Sequence, residues 1–137
     1  TTRSATAILA EQSDNVGSTL EQLQCLKELA GAAVLGLRKG ELGAVGHAMR
    51  ESWGAKRKLA SGVSNQQLDT AVQRALAAGA SGAKITGAGG GGFLLVICEP
   101  ENQRAVRRAL GGMRELPVKL DRLGSRVVFN VMRDIWS

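Results

Sequence analysis

Six consecutive positions, Gly87-Ala88-Gly89-Gly90-Gly91-Gly92, hold five glycines, with Lys84 and Thr86 just before them. A run lacking Cβ atoms can take positive φ angles and turn successive backbone N–H groups toward one point, which makes a cradle for an anion. A packed hairpin loop is the competing reading, since glycine also permits close backbone approach. Two glycines suffice for a hairpin, and five in six positions are costly in entropy, so the composition favours phosphate. Three familiar glycine patterns overlap here, and each fails on context. A dinucleotide fingerprint needs a helix after it, whereas Phe93-Leu94-Leu95-Val96-Ile97-Cys98 reads as a strand. A P-loop needs Lys and then Ser or Thr, and Phe93 and Leu94 stand there instead. The G-x-x-G of a KH domain clamps nucleotides from between two helices.

The elements that must position this loop follow from periodicity. Residues 4–12 predict a short helix, interrupted at Ser13-Asp14-Asn15. From Val16, apolar residues recur at Leu20, Leu23, Leu26, Ala30, Ala33, Val34 and Leu37, the spacing of one helix face. Gly40 fits the stop, after Arg38 and Lys39. A second long helix places Leu42, Val45, Met49, Trp53 and Ala60 on one side and ends at Ser61-Gly62. Ser64-Asn65-Gln66-Gln67 matches a capping box with Ser64 as the cap, opening a helix through Leu68, Val72, Ala75 and Leu76 to near Gly79. The period then changes. Residues 83–86 and 93–98 read as strands around the glycine run, the second apolar on both faces as in a central strand. Pro100 starts a helix facing Val106, Leu110 and Met113 inward, stopped by Gly111-Gly112, and residues 118–120 and 126–131 read as the last strands. The expectation is one α+β domain over residues 1–137, with a helix-rich first half and an antiparallel sheet. Its order is that of a ferredoxin-like split βαβ lacking its first strand. Such an open edge favours self-association, so a homo-oligomer is a possible partner state.

Composition narrows the functions. The chain has 137 residues, a net charge of +6 and 3% aromatic residues without any Tyr, which argues against a stacking platform for single-stranded nucleic acid. Basic residues are spread along the chain, and Arg104, Arg107 and Arg108 read as an exposed helix stripe. No run of some 18 apolar residues is present, so no membrane partner is expected. Cys25 and Cys98 sit among apolar neighbours and read as reduced core thiols of a cytoplasmic protein. His47 is the one histidine and reads as structural, so a multi-histidine metal site or a Ser-His-Asp triad built on several candidates is excluded, and no metal site is assigned. The start, Thr1-Thr2-Arg3-Ser4, suggests a piece of a longer chain.

The stretch Lys84-Ile85-Thr86-Gly87-Ala88-Gly89-Gly90-Gly91-Gly92-Phe93 resembles the third conserved motif of the GHMP kinases, the superfamily of galactokinase and of homoserine, mevalonate and phosphomevalonate kinases. Further stretches resemble one branch of it, the bacterial D-glycero-D-manno-heptose 7-phosphate kinases. They are Arg3-Ser4-Ala5 with Ile8-Leu9-Ala10-Glu11-Gln12, Trp53-Gly54-Ala55-Lys56-Arg57-Lys58-Leu59 with Gly62-Val63-Ser64-Asn65, and Leu116-Pro117-Val118 with Gly124-Ser125-Arg126-Val127-Val128. This resemblance implies the C-terminal domain of a two-domain kinase. Such an enzyme moves the γ-phosphate of ATP, with Mg²⁺, to a sugar-phosphate hydroxyl, for nucleotide-activated heptose and surface polysaccharide. In that family the nucleotide-binding motif and the acidic residue near the acceptor belong to the N-terminal domain. The resemblance therefore implies no catalytic residue here, and an N-terminal kinase domain as the partner that binds most of the ATP and Mg²⁺. It assigns Lys84, Thr86 and Gly87, Ala88, Gly89, Gly90, Gly91 and Gly92 to the phosphate side. Lys56, Lys58, Ser64 and Asn65 become substrate candidates, since this segment faces the acceptor in that branch. Solvated lysines and a cap-region Asn are the plainer reading of the same residues. The alternative function is a ferredoxin-like module binding RNA or a small ligand, favoured by topology and a pI near 10.0 and disfavoured by strands without aromatic residues.

Overall fold

Local rules account for most element boundaries. The computed structural model describes residues 4–118. Ser4 opens helix α1 (Ala5–Asp14), its hydroxyl accepting from the Ala7 amide at 3.2 Å. Helix α2 (Leu20–Lys39) ends on Gly40, whose φ of 73° is the left-handed stop that glycine takes without strain. Two residues later helix α3 (Leu42–Lys56) returns along α2. Helix α4 (Gln66–Ala77) leads into strand β1 (Gly82–Ile85), and the glycine loop joins β1 to strand β2 (Leu94–Ile97). The two strands pair antiparallel, from Gly82 opposite Ile97 to Ile85 opposite Leu94. A 3₁₀ turn (Pro100–Asn102) then opens helix α5 (Gln103–Ala109). The fold is α+β, with the helix-rich first half and antiparallel sheet that periodicity predicts.

One core joins these elements, with α2 outside it against α3. Ile8 of α1, Trp53 of α3, Ala60 and Val63 of the following turn, Val72 of α4 and Ile85 of β1 are buried together. Each large aliphatic side chain in that group contributes about 1.5–3 kcal/mol by leaving water. Helix α3 lies directly on β1 because two glycines meet there. A Cβ on Gly82 would fall 2.6 Å from both the Cα and the carbonyl oxygen of Gly46. The Arg50 guanidinium, one turn on, donates to the Ser81 carbonyl and fixes the crossing.

Several expectations are corrected. Helix α3 stops at Lys56 and does not reach Ser61-Gly62. Tight turns, with the Lys58 amide on Ala55 O and the Leu59 amide on Lys56 O, swing Leu59, Ala60 and Val63 inward. Asn65, and not Ser64, caps α4: its side chain accepts from the Leu68 amide at 3.0 Å, while the Ser64 hydroxyl donates to Asp69 at 2.7 Å. Helix α2 begins at Leu20, and Leu20, Val34 and Leu37 from its expected inner face are exposed, since among the described residues α3 is the element packed along it. For the same reason Cys25 is an exposed thiol, whereas Cys98 sits half-buried at the core margin. Met113 is exposed because α5 ends at Ala109. Leu95 of β2 is also exposed, and within the described residues β2 pairs only with β1. Val118 is irregular, and the strands expected at 118–120 and 126–131 otherwise lie outside the described residues. Among the described residues no helix is long and apolar enough to cross a membrane.

Candidate functional site

The glycine loop is a wide turn with a pinned neck. Thr86 closes that neck, with its amide and its hydroxyl both donating to the Phe93 carbonyl, at 2.9 and 3.1 Å. Beyond it, Gly87, Gly89, Gly90 and Gly92 have φ angles of 87°, 117°, 71° and 113°, a left-handed run that L side chains resist. One flank rests on the turn after α3: the Gly90 amide donates to the Val63 carbonyl at 2.9 Å. A Cβ on Gly89 would sit 2.7 Å from that same oxygen. The amides of Ala88, Gly89, Gly91 and Gly92 have no hydrogen-bond partner among the described residues. Unpaired donors on a positive-φ backbone are what an anion cradle requires.

Two ammonium groups converge beside the loop from different elements. Lys56, in the last turn of α3, donates to the Gly87 carbonyl. Lys84, on β1, reaches the Ser52 hydroxyl at 3.4 Å, one helical turn before Lys56. Burial, and next the Lys84 ammonium, hold the Lys56 amine below the usual lysine range. Neither lysine is in an ion pair among the described residues. Two half-buried like charges without a carboxylate raise each other's energy, and an arriving anion relieves both.

The remaining candidates do not all join this site. Lys58 lines a separate cleft of about 350 Å³ between α2 and α3, with Glu21, Gln22, Cys25 and Glu51. The side-chain oxygen of Asn65 caps α4, and Ser64 bonds Asp69, which Arg57 also meets at 3.3 Å. Those contacts make the 57–65 segment a firm support for the loop. Ser52 and the Val63 carbonyl belong to the site and escape the sequence reading. The four-residue spacing from Ser52 to Lys56 could have flagged the first. A backbone carbonyl leaves no signal in sequence.

The residues fit the phosphates of a nucleotide better than they fit a metal. The cradle supplies donors and positive charge, and among the described residues no three His, Cys, Asp or Glu side chains gather as metal ligands. A glycine loop with unpaired amides between two antiparallel strands, flanked by lysines, has the chemistry to meet an anion. The chain belongs to the GHMP kinases: residues 33–113, more than half of it, match the model of the GHMP kinases C-terminal domain. It is 28% identical over 111 residues to the D-glycero-alpha-D-manno-heptose 7-phosphate kinase of Campylobacter jejuni, covering 80% of this chain and 33% of that protein. It is 45% identical over 71 residues to the mevalonate kinase of Thermococcus sibiricus, covering 50% of this chain and 21% of that one. The fold matches L. major mevalonate kinase in complex with R-mevalonate at a TM-score of 0.69 and 24% identity, over 79% of this chain and 34% of that chain. The chain thus spans about a third or less of the relatives it matches.

Proposed function

We propose that this chain is the C-terminal part of an ATP-dependent, cytoplasmic small-molecule kinase whose acceptor is a sugar phosphate of the heptose 7-phosphate class. The observation that carries the reading is the convergence of Lys56 and Lys84, without a carboxylate, on a glycine loop with unpaired amides. In phosphoryl transfer the protein chiefly positions the groups and stabilises charge, and this loop does both from one side of the phosphates. Mg²⁺ would neutralise the phosphate oxygens when bound, with ligands from outside the described residues. Lys56 reaches the loop at the Gly87 carbonyl and directly precedes the 57–65 segment, so its ammonium can meet a phosphate on the acceptor. Mevalonate offers a carboxylate in place of that phosphate, which is a weaker demand for two cations. Resemblance to the heptose branch along most of the chain supports the same choice, and family membership favours a kinase over the RNA- or ligand-binding module.

The test has two parts. Pyrophosphate added to this chain should shift the amide resonances of residues 88–92, and sulfate at equal ionic strength should shift them less. In the full-length kinase carrying this domain, ATP should phosphorylate heptose 7-phosphate in preference to mevalonate. Lys56→Met should then raise KM for the sugar phosphate about tenfold, the equivalent of roughly 1.4 kcal/mol. Preference for mevalonate would overturn the acceptor assignment.

A further inference from the structure

The glycine loop leans on a segment that is itself held from outside the site. Val63, whose carbonyl receives the Gly90 amide, belongs to the irregular stretch after α3. Two residues before it, Ser61 is gripped by α1: the Glu11 carboxylate accepts from the Ser61 amide at 2.7 Å and from its hydroxyl at 3.0 Å. At the C-cap of α1, the Asn15 side chain donates to the Leu59 carbonyl at 3.2 Å. Ile8, Glu11 and Asn15 lie at the i, i+3, i+7 spacing of one helix face, and Ile8 is fully buried in the same core as Val63. Helix α1 therefore holds both ends of residues 59–61, and the following residues carry the loop's only backbone anchor among those described.

From this chain of contacts we infer that Glu11 is a positioning residue for the phosphate loop, acting through Ser61 and the Val63 carbonyl on Gly90. The inference rests on the loop being a phosphate site, and it adds a residue that touches no phosphate. The physical argument is one of local freedom. Ser61 is exposed, so water replaces the lost acceptor when Glu11 is removed, and global stability changes little. What changes is the spread of positions open to residues 61–63, and with it the Val63–Gly90 hydrogen bond. A carboxylate that accepts from both a backbone amide and a hydroxyl fixes position and direction together.

Amide hydrogen exchange on this chain tests the inference. Glu11→Ala should speed exchange at Gly90 by about tenfold or more through local opening, while protection along α4 stays as in the wild type. Glu11→Gln keeps one acceptor for the Ser61 amide and should restore most of the protection. Ser61→Ala, which removes only the hydroxyl, should fall between wild type and Glu11→Ala, and it serves if Glu11→Ala does not fold. Pyrophosphate affinity should weaken in the order of the exchange effect. Unchanged Gly90 exchange would overturn the inference. Equal acceleration at Gly90 and along α4 would also overturn it, because Glu11 would then act on the whole fold. Failure of the wild-type chain to bind pyrophosphate would instead overturn the phosphate reading, with the Gly90 result still deciding the Glu11 contact.

Discussion

Helices α2 and α3 form one hairpin and carry similar apolar spacing, yet their surroundings differ. Helix α3 buries Val45, Ala48, Met49, Trp53 and Ala55, whereas α2 buries Gly36 alone. The cause is position in the layer order. Helix α3 has β1 beneath it and α2 above it, while α2 has α3 on one side. At Gly36 the two approach closely, and a Cβ there would meet Val45 Cγ2 at 3.0 Å. The pair shows how a site is built at the end of a sandwiched helix. Held by its neighbours, α3 presents Ser52 and Lys56 at a fixed place beside the glycine loop, and α2 serves as the outer brace. Each substitution below breaks or sharpens this contrast.

The largest effect is expected where α3 touches β1. Gly82→Val puts a branched side chain 2.6 Å from the Gly46 backbone, and backbone cannot rotate out of the way. Separating the helix from the strand would open the core at Trp53 and Ile85. The expected loss is about 3 kcal/mol or more in urea unfolding. An unchanged midpoint would show that α3 is not seated on the strand, and the site would lose its frame.

That contact also marks the limit of sequence reading. Helix existence was legible from spacing at Leu23, Leu26, Val45, Met49 and Val72, and the glycine loop from composition alone. The stop at Gly40 was legible because glycine's left-handed freedom is a local property. Gly46 and Gly82 were not, since neither a helix nor a strand announces where another backbone will press against it. The cap shifted from Ser64 to Asn65 because both residue types cap helices, and Asp69 competed for the Ser64 hydroxyl. Lys56 and Lys58 look equivalent in sequence. Two positions along the turn place one beside the loop and the other in the α2–α3 cleft.

An intermediate effect is expected at Lys56, read through pH. Its amine is held below the ordinary value of 10.5 by burial and by Lys84. Between that lowered value and 10.5 the unfolded chain holds a proton that the folded chain has released, so stability rises with pH in that window. Below the window both states are protonated, and the folded state bears the full penalty of the charge. Lys56→Met removes this titration. Thermal melts from neutral pH to 10.5 should therefore show wild type gaining on the variant as pH rises. Wild type losing ground on the variant as pH rises would mean that the loop stabilises the ammonium, contrary to the carboxylate-free arrangement described.

The smallest effect is expected at the exposed leucines near the end of α2. Leu35 and Leu37 are 57% and 54% exposed, so replacing both by Gln removes little buried surface. Glutamine has a helix propensity close to that of leucine, which leaves the helix itself undisturbed. The change in unfolding free energy should stay within about 0.5 kcal/mol. A loss above about 1 kcal/mol would mean that these leucines are covered in solution. Sedimentation of both proteins at matched concentration would then identify the cover. Self-association that disappears in the double variant would assign it to a second copy. A wild-type monomer with the same loss would assign it to residues of this chain beyond those described, and α2 would then join α3 as an inner helix.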